Sequence, residues 1–128
     1  MSAYPARQTL LCPVTGFLRI VSWCIVGLGL IHISFAFPVR ELSTDLLWFI
    51  GAGLALSFAG VINLLALKVS SVPAFVAALV CDALLAFLFL LSLIVLREPQ
   101  VFIGAALFLF VTIGFMVLAV RSYRATQG

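Results

Sequence analysis

The chain has 128 residues, of which 66% are hydrophobic and 9% charged, where a soluble domain carries about 25% charged residues. With a mean hydropathy of +1.37 there is too little polar surface to cover a globule in water. The net charge of +3 comes from seven basic residues gathered at the ends of apolar stretches, which marks membrane topology and excludes a nucleic-acid patch.

Met1 to Thr15 reads as a short leader with Arg7, Pro5 and Pro13. Gly16 to Phe37 is the first apolar span, and Pro38 ends it, because proline cannot continue a helix. Ser34-Phe35-Ala36 has the small-x-small form of a cleavage site. The apolar run before it is too long for a signal peptide, so the segment is read as a span. Val39 to Thr44 is a loop with Arg40 and Glu41, and Ser43, Thr44 and Asp45 are N-cap residue types for the next helix. The second span runs from Asp45 to Leu67 and is closed by Lys68. A turn with Ser70 and Ser71 leads to the third span, Val72 to Leu96, where Pro73 suits a first helical turn. Arg97 to Gln100 is a very short loop, Val101 to Val120 the fourth span, and Arg121 to Gly128 a polar tail.

Each span is long enough to cross a hydrocarbon layer of roughly 30 Å alone. The loops leave no room for an extramembrane domain. The fold expected is all-α: one domain, an integral membrane antiparallel four-helix transmembrane bundle. Arg7, Arg19, Lys68, Arg121 and Arg124 fall on one side and Arg40 and Arg97 on the other, together with Glu41, Asp45 and Glu98. The positive-inside rule then puts both termini in the cytoplasm of a multi-pass cell membrane protein.

In lipid, helices associate through small residues that let backbones approach. On the second span Gly51, Ala55, Ala59 and Asn63 recur every four residues on one ridge, which Gly53, Ser57 and Gly60 widen. The third span has a matching ridge, Ala74, Ala78, Asp82 and Ala86, with Leu84, Phe87, Leu88 and Leu91 largely elsewhere. The two ridges are expected to pack together and to turn Asp82 and Asn63 toward each other, in a direct or water-mediated contact with the Asn63 amide as donor. Ser22, Gly29 and Ala36 form a stripe on the first span, with His32 on its flank. The fourth span offers Gly104, Ala105, Thr112 and Gly114 but is rich in phenylalanine, and is read as the most lipid-exposed or oligomer-forming helix. Trp48 reads as an interfacial anchor and Trp23 as a deeper residue packed between helices.

An acid at membrane depth costs roughly 3 kcal/mol on insertion scales and so faces protein or water. Asp82 is the sharpest candidate, either as a proton- or cation-binding carboxylate or as a hydrogen-bonded tie within the bundle. Asn63 is read as structural glue or as a lining residue. His32, whose free side chain titrates near neutral pH, is read as a packing residue or a proton relay. Arg19 either reaches toward Asp82 or snorkels to phosphates. Cys12 beside Pro13 is a weak palmitoylation signal. The single histidine and the absence of C-x-x-C among Cys12, Cys24 and Cys81 give no paired haem ligands and no metal set. No acid/base pair shares a depth, and no phosphate loop or Ser/His/Asp set is present. No cofactor, metal or catalytic site is therefore expected.

By size and span count the chain resembles the small multidrug resistance transporters, four-helix proteins that act as dimers. Their central acid is a glutamate in the first helix, where this chain has none. Vitamin K epoxide reductase-like proteins share the helix count but need a C-x-x-C. The run Leu47-Trp48-Phe49-Ile50-Gly51-Ala52-Gly53-Leu54 with Asn63-Leu64-Leu65 is similar to small bacterial inner-membrane proteins of unknown function, which implies location and architecture. Two roles follow as expectations. One is a non-enzymatic accessory or interaction protein, whose partners are the lipid bilayer and helices of a second copy or of another membrane protein. The other is a small proton-coupled transporter or channel component using Asp82, with Asn63 and His32 along the path; a membrane enzyme ranks behind both.

Overall fold

The structure, a computed structural model, describes residues 5–37 and 41–127, and the surroundings of side chains from residue 13 onward. Among the described residues four helices follow in order: α1 Pro5–Ser34, α2 Thr44–Val69, α3 Val72–Val95 and α4 Pro99–Gln127. No strand occurs among the described residues. All four helices are long and apolar enough to cross a membrane, and the chain is a multi-pass membrane protein. Successive helices pack side by side and α4 closes the ring against α1, with no close approach across either diagonal among the described residues. Leu18, Ile25, Phe108, Val111 and Phe115 fill the interior of the ring.

The helix ends follow local chemistry. Ser43 caps α2, its hydroxyl accepting from the Leu46 amide at 3.2 Å, and Ser71 caps α3 through the Ala74 amide at 3.4 Å, with Pro73 in the first turn. Between α2 and α3 only Ser70 and Ser71 are outside a helix, and Ser70 makes the sharp turn. It sits at φ 52°, ψ 42°, a left-handed conformation in which Cβ crowds the following carbonyl. Ser70→Gly is expected to stabilise the protein by about 0.5–1 kcal/mol, read as a raised unfolding midpoint in detergent.

Helices α2 and α3 match their expected limits within a few residues. The outer helices are longer: α1 begins at Pro5 and runs through Pro13, and α4 begins at Pro99 and continues through Arg121 to Gln127. The polar tail is thus helical as far as Gln127, the last described residue. Arginine, alanine and glutamine are good helix formers, and a charged turn extends a span into the headgroup layer without exposing backbone groups. Helix α1 stops at Ser34, before Pro38, which lies outside the described residues together with Val39 and Arg40.

Packing departs from expectation in three ways. First, α2 lies closest along α1, and α3 along α4; the α2–α3 seam is shorter. For the α1–α2 pair the cause is glycine. A Cβ on Gly60 would fall 2.8 Å from the Ser22 carbonyl oxygen and 2.9 Å from the Val26 nitrogen, and one on Gly53 would fall 2.9 Å from the Gly29 carbonyl oxygen. Helix α3 has no glycine to match those of α2; its close packing with α4 rests instead on its alanines and on Gly104 of α4, which lies against Phe89. Second, α4 is not the most lipid-exposed helix. Of its most apolar stretch 39% is buried, against 17% for α3. Phe108 and Phe115 lie wholly inside, in one core cluster with the small Ala78 and Ala86 of α3. Phe108 stacks on Phe89 at 5.5 Å and Phe115 lies 6.3 Å from Phe75. Third, Trp23 is exposed, as Trp48 is, and neither packs between helices.

Candidate functional site

Helices α2 and α3 bring two polar side chains together inside the bundle. Asn63 and Asp82 have no exposed surface, and the Asn63 Nδ2 donates to Asp82 Oδ1 at 3.0 Å. The two residues lie at different distances from their helix ends, Asp82 being deeper from Pro73 than Asn63 is from Lys68. Helical Cα–Cβ bonds tilt toward the helix N-terminus. In an antiparallel pair Asn63 therefore leans away from Lys68 while Asp82 leans back toward Pro73, and the offset closes.

Alanine lets the two side chains meet. Ala59 and Ala66 on α2 and Ala78 and Ala86 on α3 are buried on the same faces, so nothing bulky separates the pair. Ala55 is half-buried, as is Ala74, which lines a shallow apolar groove with Ile62, Leu65, Ala66, Val69 and Ala77. Gly51 is exposed, and a Cβ there would meet nothing within 4 Å. The ridge of α2 thus serves α3 only in its half nearer Lys68. Gly53, Ser57 and Gly60, which widen that ridge in the sequence, turn to α1 instead.

The pair is incompletely satisfied. Among the described residues Asp82 Oδ2 and Asn63 Oδ1 have no hydrogen-bond partner, and both atoms are buried. Both are acceptors when the carboxyl is ionised, so the site is short of donors, not of lone pairs. The hydroxyls inside the bundle do not supply one. Ser22 donates to the Leu18 carbonyl at 2.7 Å, Ser57 to that of Gly53 at 3.0 Å and Thr112 to that of Phe108 at 2.6 Å, each bonding back to its own helix.

The other candidates lie apart. Arg19 is exposed on the flank of α1 and does not reach the Asp82 carboxyl. His32 is half-buried and stacks on Phe49 of α2, with centroids 3.7 Å apart and planes at 22°. The facing of Gly29 with Gly53 and Ser57 puts His32 level with residue 52 or so. That is on the order of 16 Å along α2 from Asn63. Cys24 is exposed and Cys81 half-buried, and the Cys12 side chain lies outside the described surroundings. Among the described residues no group of histidine, cysteine and acid is arranged to hold a metal ion.

A second apolar groove lies between α1 and α4, lined by Phe17, Val21, Ile103, Ala106, Leu107 and Phe110. Neither groove touches Asp82 or Asn63. The fold and its polar centre define an integral membrane protein of four spans. No protein-family model, curated protein or solved structure matches the chain.

Proposed function

We propose that this chain is a non-enzymatic accessory or interaction protein of the cell membrane, with both termini cytoplasmic and with membrane helices, of itself or of another protein, as its partners. The enclosed Asn63–Asp82 hydrogen bond carries this reading. The one intramembrane acid is engaged in joining α2 to α3, with no exposed surface to receive a substrate or an ion. The long apolar faces of α3 leave ample surface for helix contacts in the bilayer.

The unpartnered Asp82 Oδ2 and Asn63 Oδ1 favour a second reading, a small proton-coupled transporter or channel component in which Asp82 takes up the proton. A buried acid in a membrane commonly marks such a path. Reconstituted vesicles under an imposed pH gradient separate the two. On the first reading, wild type and Asp82→Asn give the same ion leak as protein-free vesicles, and the variant loses only modest stability, about 1 kcal/mol. A pH-driven flux in wild type that Asp82→Asn abolishes while remaining folded would refute the accessory reading.

A further inference from the structure

The outer groove between α1 and α2 carries two cations. The contacts of Gly53, Gly60 and Ser57 with Ser22, Val26, Gly29 and Ile33 fix which sides of the two helices face each other. At about 100° per residue, Arg19 and Lys68 each stand about 50° from that contact line. Both lie on the side opposite the buried Val21 and Asn63, and both are exposed. Val26 and Ser22 are level with Gly60, which puts Arg19 about three residues from the level of Lys68, roughly 5 Å along the axis. The glycine contacts hold the two helices close, so the two positive side chains emerge from neighbouring turns of one groove.

No acidic side chain of the protein faces them. Its four acids are Glu41, Asp45 and Glu98, at the opposite end of the bundle, and Asp82, enclosed and bonded to Asn63. Two like charges at a membrane surface attract an anion, and the abundant anion at that depth is a lipid phosphodiester. We propose that Arg19 and Lys68 form a binding site for the phosphate of an anionic phospholipid, whose acyl chains run along the exposed apolar flanks of α1 and α2. Arginine provides a forked donor and lysine a point charge, a combination suited to phosphate oxygens.

Native mass spectrometry of the detergent-solubilised protein titrated with phosphatidylglycerol tests this. Arg19→Gln and Lys68→Gln are each expected to weaken binding roughly fivefold, whereas Arg97→Gln, at the opposite end, leaves it within about twofold. Lys68→Arg retains binding, so a loss in Lys68→Gln can be separated from misfolding. The proposal is overturned if Arg97→Gln weakens binding as much as Arg19→Gln, or if the two glutamine variants bind like wild type. It is also overturned if inorganic phosphate at equal concentration displaces the lipid, which would make the groove a site for free phosphate.

Discussion

Replacing Asn63 with leucine is expected to destabilise the protein by about 3 kcal/mol, because it leaves the Asp82 carboxyl enclosed with no donor. Removing one partner from a buried polar pair costs more than the bond itself contributes. The Asn63 amide is the one side-chain partner of Asp82 among the described residues, and Ala59, Ala66, Ala78 and Ala86 offer no replacement. Asp82→Leu leaves a buried amide instead of a buried carboxyl and is expected to cost about 2 kcal/mol. The double variant Asn63→Leu/Asp82→Leu, with no stranded polar group, is expected to recover most of either loss. Unfolding midpoints of the four proteins in one detergent check the cycle. Additive losses in the double variant would mean that the two side chains do not act as a pair.

Gly60→Ala is expected to cost about 1–3 kcal/mol, the usual range for overpacking a close interface. Larger side chains at this position are expected to prevent α1 and α2 from docking. The added Cβ lands on the Val26 side chain at 2.6 Å, where a rotamer change could give way. It also lands 2.8 Å and 2.9 Å from backbone atoms of Ser22 and Val26, which move only if the helices separate. Gly51→Ala provides the contrast, since nothing lies within 4 Å of its Cβ position. It should be neutral or slightly stabilising, as alanine is the better helix former. Cross-linking between cysteines placed on α1 and α2, with unfolding midpoints, distinguishes loss of docking from loss of helix.

Much of this was legible in the sequence. The spans follow from hydropathy, and the starts of α2 and α3 from Ser43, Ser71 and Pro73. The Asn63–Asp82 contact follows from two four-residue ridges of small side chains. Neighbour preference was harder to read. Gly51, Gly53, Ser57 and Gly60 surround α2 with small residues, so periodicity alone offers several faces. The choice depends on where the partner also lacks side chains, and Gly29 on α1 meets that need while α3 has no glycine. The place of α4 was obscured by its phenylalanines. A large apolar residue suits lipid and core equally in a membrane, and only the space left by the alanines of α3 in the same core draws Phe108 and Phe115 inward. The satisfaction of serine hydroxyls by their own helices is likewise a local effect that leaves no pattern in the sequence.

The arrangement in two close hairpins, α1–α2 and α3–α4, has a consequence for biogenesis. As the chain is synthesised, the first hairpin is complete when Val69 has emerged, and its glycine contacts need nothing that follows. Asn63 then sits in the bilayer with its amide open to any acceptor, until Asp82 arrives 19 residues later. The second hairpin can likewise close on itself through Phe89, Phe108 and Phe115. The bond between Asn63 and Asp82 then joins two halves that each have contacts of their own, and it favours the mutual orientation in which the two polar side chains meet.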